Sequence, residues 1–461
     1  MSQSQPSGDE LASSLASIVG NDDVTTRRDE LVGYSRDAFP EDGVLPDAVV
    51  RVEDTSEVQA VLQYANERGL HVVPRAMGTS LTGSVVPVEG GIVMDMRPMD
   101  QILELNEDDM FARVQPGVRW ETLNERAEEY GLHFPVDPGS SSVVTVCGMI
   151  ATHASGMRAV KYGTTGDHTM DLEVVLADGT TFETGTRSIK NSAGYDLTSL
   201  LVGSEGTLGV ITEATVRLTP LPERSRTFMA LFDDLETAGE LFVDVKQSNF
   251  DVSAMELLDR PLLETLQEGG FDVPTAEVMV LVELVGDRAF EESYDELTTL
   301  AAEGGAAVRE SDDPEELWTA RRSAYPSLVR RCTHPITGDI GVPISTLPEM
   351  LRTIREIRDE MDLPVSVLGH AGDGNLHPVI LASEDTLERG KDAHDRMCEA
   401  AVDLGGTVTT EHGVGIEKNH LMEYQYGEEG VAVMRRLKRA LDPNNVLNPG
   451  KITPSEENAH E

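Results

Sequence analysis

The stretch DPGSSSVVTVCGMIATHASGMRAVKYGTTGD, residues 137–167, decides how the first half of this chain is read. Gly139, Gly148, Gly156 and Gly163 are interleaved there with Ser140, Ser141, Ser142, Thr145 and Ser155. Small residues at that density let backbone wrap closely around something large and flat, with N–H and hydroxyl groups turned inward as donors. Two further loops share the composition. PRAMGTSLTG (74–83) follows the strand-like HVV and carries Gly78, Gly83 and three hydroxyl residues. It reads as an anion cradle or, taken alone, as a plain tight turn. NSAGYDLTSLLVGSEGTLGVIT (191–212) spaces Gly203, Gly206 and Gly209 three apart. Neither G-x-G-x-x-G nor a Walker A pattern occurs, so a bound dinucleotide would need a different fold from the doubly wound sheet.

Working outward, the segment 46–83 reads as strand, helix, strand and glycine loop. Val49–Val52 form the strand. Thr55 is expected to cap the helix, with Val58, Val61, Leu62 and Ala65 on its buried face and Gly69 at its end. Strand-like runs separated by Gly and Pro continue to about residue 220, which predicts an α+β domain over 1–220. LTPLPE (218–223) marks a boundary. Longer amphipathic helices then alternate with apolar strands over 221–405, as expected for a second α+β domain with an antiparallel sheet. Residues 406–461 form a C-terminal segment expected to return to the first domain.

Composition narrows the function. With 461 residues and 39% hydrophobic content, the chain supports two or three cores. No apolar run reaches the ~18–20 residues of a membrane span, and the start lacks a secretory signal pattern. The expected location is cytoplasmic, with peripheral membrane contact left open. Lys+Arg 37 against Asp+Glu 82 gives a net charge of −45, which argues against nucleic-acid partners. The acid is dispersed, as on a surface kept soluble in high salt, so a halophilic origin is expected beside the alternative of an ordinary acidic protein. Cys147, Cys332 and Cys398 are isolated, which argues against a disulfide framework, a thiolate zinc site or an internal iron–sulfur cluster.

The second half supplies chemistry. VSVLGHAGDGNLHPVI (365–380) reads as a hairpin that brings His370 and His377 together, and TVTTEHGVGIEK (407–418) adds Glu411 and His412. Two imidazoles and a carboxylate make a metal site with open positions; two packed structural histidines remain the alternative. His412, titrating near neutrality, suits a general base, or a merely packed ring. In DDPEELWTARRSAYPS (312–327), Asp313 is the expected N-cap and Pro314 the first helical residue. Trp318, Arg321, Arg322 and Tyr325 then share a face, where an arginine could clamp a carboxylate.

The three glycine loops resemble the FAD-binding elements of the vanillyl-alcohol-oxidase (PCMH-type) flavoprotein superfamily. ELWTARRSAY, DIGVPISTLPEM, GHAGDGNLHPVI, TEHGVGIEKNHLM and LKRALDPNNVLNPGKI resemble its FAD-linked D-lactate dehydrogenase and glycolate oxidase group. The resemblance runs from about residue 40 to 453. It implies a PCMH-type FAD-binding domain and an α+β substrate (cap) domain. Arg75, Ala76, Met77, Gly78, Thr79, Ser80 and Gly83 would wrap the pyrophosphate. Pro138, Gly139, Thr145, Gly148, Ser155, Gly156, Tyr162 and Gly163 would line the FAD, with Ile211 near the adenine and Asn448 by the isoalloxazine. Ala76 stands where the family has glycine, and His153 where a small residue or Asn is common. The first loop has no histidine, so FAD is expected to be non-covalent.

The resemblance further implies a divalent metal on His370, His377 and Glu411, zinc before manganese or iron. It makes His412 the base and Arg321 the carboxylate clamp. The expected reaction is oxidation of a D-2-hydroxy acid, D-lactate first, with glycolate or D-2-hydroxyglutarate as alternatives. The stretch ITGDIGVP lacks the lysine of the 2-hydroxyglutarate enzymes. Electrons would pass to a separate quinone, cytochrome or iron–sulfur protein, and a homodimer is left open. A metallohydrolase would leave the glycine loops unexplained, and a non-catalytic flavin subunit would leave Arg321 and Glu411 unexplained.

Overall fold

A computed structural model of the chain describes residues 8–40, 43–286, 289–311 and 313–454. Ala48–Arg51, Ile92–Asp95 and Val72–Arg75 lie parallel in one small sheet, with Val24–Thr25 antiparallel at its edge. The crossover helix Thr55–Arg68 buries Val58, Val61, Leu62 and Ala65 against that sheet. Its cap is Asp54, not Thr55: the Asp54 carboxylate accepts from the Glu57 N–H at 3.0 Å. A charged acceptor satisfies the orphan N–H and the helix dipole together, so the carboxylate wins over the hydroxyl. Gly69 closes the helix at φ 64, in the left-handed region.

Five antiparallel strands follow, in the order Ile102–Asn106, Phe111–Val114, Val210–Arg217, Thr169–Val175, Thr181–Glu183. The loop 137–167 runs along this sheet. Within it Thr145 caps the helix Val146–Thr152, and His153 ends that helix at φ 55. A histidine tolerates the left-handed region better than a β-branched residue, and its Nε2 is anchored 2.9 Å from Thr164 Oγ1.

Beyond residue 223 an eight-stranded antiparallel sheet takes over. Its central strands Arg224–Phe232, Val278–Gly286, Val252–Asp259 and Val365–Gly369 are covered on both faces. Leu235–Lys246, Phe290–Glu303, Leu347–Glu360 and Leu387–Asp403 pack on one side, Arg260–Glu268 and Pro314–Arg322 on the other. Double coverage explains near-continuous apolar runs such as VMVLVELVG. Two acids interrupt them: Glu256 and Glu283, both buried, on adjacent strands. The register pairs Glu256 with Leu281 and Ala254 with Glu283, so both carboxylates leave the same face, the one that meets loop 137–167.

The chain finally returns. Val72 N–H donates to the Val446 carbonyl at 2.7 Å and Asn448 N–H to the Val72 carbonyl at 2.9 Å. Val446 and Leu447 are buried in the core of the first sheet. The helix before them, Met422–Leu441, breaks at Gly427. No helix among the described residues is long and apolar enough to cross a membrane.

Candidate active site

One cavity of about 710 Å³ separates the glycine loops from the eight-stranded sheet. Arg75, Ala76, Met77, Gly78, Thr79 and Ser80 line it from the first loop, and Pro138, Gly139, Thr145 and Gly148 from the second. The opposite wall carries Arg321, His370, His377, Glu411 and His412. Ile211 borders a smaller recess of about 100 Å³ that shares Arg75, Ala76 and Gly148 with the main cavity. A Cβ at Gly139 would stand in open space on the cavity wall, and the Arg75 guanidinium lines the same cavity, which suits an anionic cofactor. Gly78 (φ 67) leaves room for the Arg75 guanidinium folded over it.

The other predicted cofactor residues do not line either space. Gly83 lies against the loop that follows His412, where a Cβ would come within 2.7 Å of Ile416. Ser155 donates to Glu411 Oε2 at 3.2 Å. Gly156 passes so close to the Asp137 carbonyl that no side chain fits. Tyr162 gives its carbonyl to His168 Nε2 at 2.8 Å, and Gly163 turns the chain against Asp167. Asn448 Nδ2 donates to the Ser84 and Glu205 carbonyls, both at 2.7 Å, which ties two glycine loops together; its buried Oδ1 has no partner among the described residues.

The histidines converge as the hairpin requires, with one change. His377 faces Leu368 across the ladder, and His370 sits two residues further on, at the start of the turn Ala371–Asp373. Their rings meet edge to face at 5.2 Å. Nε2 of His370 and of His377 lie 3.3 and 3.2 Å from the same Glu411 oxygen. These donor atoms all lie within 4.8 Å of one another, a set that fits a divalent cation with room for further ligands. Burial alone would raise the Glu411 carboxyl, but His370 and His377 outweigh it and hold it well below the usual carboxylate range. For His370, burial pulls down and Glu256 and Glu411 pull up; the carboxylates prevail.

A second convergent set, Asp339, His377 and His412, is of another kind. Asp339 Oδ2 already accepts from Thr409 Oγ1 (2.7 Å), the backbone N–H groups of Thr410 and Glu411 (both 3.0 Å) and that of His412 (2.8 Å), and Oδ1 accepts from Thr410 Oγ1. This carboxylate holds the loop that presents Glu411 and His412, and its lone pairs are spent there. Lys418, fully buried, lies 3.9 Å away and has no hydrogen-bond partner among the described residues.

His412 stacks on His377 at 5.1 Å with an interplanar angle of 17°. Burial pushes it down to about 4, against the pull of Asp339, rather than leaving it near neutrality. The ring is neutral at physiological pH and has a lone pair to accept a proton. Asp313 caps the helix Pro314–Arg322 as expected, but that helix stops at Arg322, so only Trp318 and Arg321 of the expected face are buried, while Arg322 is exposed. Arg321 is not idle. Its Nε and Nη2 both lie 2.6 Å from Glu256 Oε2.

Sequence reasoning missed Glu256, Asp339 and Glu205. Glu205 accepts from the N–H groups of Val414 (2.6 Å) and Gly415 (2.9 Å), which clamps the third glycine loop to the loop that carries Glu411 and His412. An acid inside an apolar strand, as in SAMELLD, was the legible signal for Glu256.

The family described as "FAD linked oxidases, C-terminal domain" matches residues 221–452, and the "FAD binding domain" family matches 46–185. The chain belongs to the FAD-linked oxidases. Among these oxidases it falls in the D-lactate dehydrogenase and glycolate oxidase group of the PCMH-type superfamily. It is 39% identical to "Glycolate oxidase subunit GlcD" of Bacillus subtilis, covering 91% of each chain. It is 36% identical to "D-lactate dehydrogenase" of Archaeoglobus fulgidus, covering 88% of this chain and 90% of that one. It is 35% identical to "D-lactate dehydrogenase [cytochrome], mitochondrial" of Arabidopsis thaliana, covering 96% and 80%. Among solved structures, p-cresol methylhydroxylase superposes with TM-score 0.82 at 17% identity, over 98% of this chain and 97% of that one. That last likeness shows the shared fold. The α+β class with a PCMH-type FAD-binding domain and an antiparallel second sheet is thereby observed.

Proposed function

We propose that this oxidase acts on a D-2-hydroxy acid, D-lactate first, and yields the 2-keto acid. The observation that carries the reading is a single cavity. One wall is a glycine cradle; the other holds Arg321, the His370–His377–Glu411 donor set and the neutral His412. When bound, FAD accepts the hydride, and a divalent metal on the donor set lowers the pKa of the hydroxyl.

The protein's own groups do the rest. Arg321 uses the guanidinium edge left free by Glu256 to hold the substrate carboxylate. His412 is kept in place by its stack on His377, with Nε2 on the donor-set side, 3.6 Å from Glu411 Oε1. That nitrogen takes the hydroxyl proton. Ser155 and the two histidines orient Glu411 from three sides.

His153 is engaged with Thr164 and the loop 74–83 has no histidine, which supports a non-covalent flavin. Three isolated free cysteines and no nicotinamide fingerprint support a separate quinone, cytochrome or iron–sulfur acceptor. The −45 charge supports a halophilic surface; the expected outcome is a melting temperature that climbs with molar KCl as repulsion is screened. A second reading, a dicarboxylic substrate such as D-2-hydroxyglutarate, has one observation behind it: Arg322 lines the same cavity.

The test is anaerobic mixing of the flavin-loaded protein with D-lactate, L-lactate, glycolate and D-2-hydroxyglutarate. Rapid bleaching of the flavin by D-lactate alone supports the first reading. Preference for D-2-hydroxyglutarate selects the second. A colourless protein that no FAD restores sinks both.

A further inference from the structure

Glu256 stands mid-strand in Val252–Asp259, 0% exposed, between two groups that the functional reading uses. Its Oε2 accepts from Nε and Nη2 of Arg321, both at 2.6 Å. Its Oε1 lies 2.7 Å from Nδ1 of His370. An ionised carboxylate only accepts hydrogen bonds, so Glu256 keeps a proton on His370 Nδ1 and leaves Nε2, 3.3 Å from Glu411 Oε1, as the nitrogen that would ligate a metal. The same carboxylate takes the Nε/Nη2 edge of the guanidinium. That leaves the Nη1/Nη2 edge for an incoming carboxylate.

We infer that Glu256 is a positioning residue that couples the two halves of the site: one of its oxygens orients the first metal-binding histidine, the other aims the substrate-binding arginine. The inference rests on the reading that His370 binds a metal and Arg321 a carboxylate. Glu283 offers an internal contrast. It leaves the same face of the sheet and is also buried, but its partners are Arg158 and Ser253, neither of them a donor-set residue. An acid needed only to neutralise an arginine would make the Glu283 kind of contact; Glu256 adds the histidine.

Glutamine at 256 cannot serve both donors. If its amide nitrogen faces His370, Nδ1 must become the acceptor and Nε2 carries the hydrogen, which blocks ligation. If it faces Arg321, donor meets donor. In flavin-loaded protein, Glu256→Gln is expected to weaken Mn²⁺ binding by about 10–100-fold in chelator competition. It is also expected to raise the pyruvate Kd, read from flavin absorbance, by about tenfold. Arg321→Met is expected to lose pyruvate binding while Mn²⁺ affinity stays within about threefold of wild type. Because the single Glu256 variant strands a buried cation, the double variant Glu256→Leu/Arg321→Met, which carries no orphan charge and offers Nδ1 no acceptor, is expected to show the same fall in Mn²⁺ affinity. Wild-type Mn²⁺ affinity in either Glu256 variant overturns the inference alone. A wild-type protein that binds no Mn²⁺, Zn²⁺ or Fe²⁺ overturns the functional reading together with it.

Discussion

Among the described residues, two regions of this molecule gather more than one histidine around a carboxylate. At the cavity, Nε2 of His370 and of His377 point at one oxygen of Glu411, at 3.3 and 3.2 Å. On and beside the helix Leu387–Asp403, His394 Nδ1 and His420 Nε2 bind different oxygens of Asp395, at 3.1 and 3.0 Å, and His394 Nε2 faces Cys398 Sγ at 3.8 Å. The residue types are nearly the same. The first arrangement converges several ligand-type atoms on one point inside a cavity, which is what a cation needs. The second is a chain of pairs in which both His394 nitrogens and His420 Nε2 already have partners, and it ends at a His420 side chain 51% exposed. Convergence toward a shared point, rather than the presence of ligand-type residues, separates a candidate metal site from a structural cluster.

The largest expected effect breaks the cavity cluster at its base. His412→Gln should slow turnover by about 10²–10⁴-fold, with flavin content intact, if His412 takes the proton; a loss under tenfold would remove it from that role. Glu411→Gln deletes the point of convergence. A Lewis acid supplies several kcal/mol of barrier lowering, so turnover should fall by roughly 10²–10³-fold, with metal content by elemental analysis falling alongside. Unchanged metal content would mean that Glu411 is no ligand.

Between the two regions in effect stands Glu205. Glu205→Ala strands the Val414 and Gly415 N–H groups and should cost about 1–3 kcal/mol of stability in urea unfolding; no loss would mean that water replaces the carboxylate.

The helix cluster should show itself in stability alone. Burial would lower His394, but Cys398 and Asp395 prevail and push it up to about 10. A histidine raised on folding stabilises fully below its unfolded value of about 6.5 and loses that contribution as pH climbs through the folded one. The stability gap between wild type and His394→Gln should therefore be widest near pH 6 and shrink by about pH 10; a gap that grows with pH would reverse the assignment. The smallest effect is His420→Ala: about 0–1 kcal/mol, as for any exposed pair, with turnover unchanged.

Much of the site was legible because its signals are local. Loops dense in Gly, Ser and Thr announce close backbone approach, a GDGN turn between two apolar strands announces a hairpin, and Glu-His in sequence splits into two side chains with different directions. Glu256 and Asp339 were harder. Glu256 is one acid in an apolar strand, and its partners Arg321 and His370 lie 65 and 114 positions away. Asp339 does its work through hydrogen bonds to a loop 70 to 73 positions later. No periodicity carries that information. Thr55 and Asp54 show the same limit at short range, since either could cap and only backbone geometry chooses.

By itself the sequence determined which residue types could bind a flavin, a metal and a carboxylate, because composition, turn chemistry and strand pattern are properties of neighbours along the chain. Only the tertiary structure decided that the glycine cradle and the donor set share one cavity, that Asn448 and Gly83 serve as joints between loops, and that Arg321 arrives with half its guanidinium already held. Those facts depend on which distant strands sit side by side. The register that places Glu256 opposite Leu281, on the face turned toward Arg321 and His370, is set by packing across the sheet.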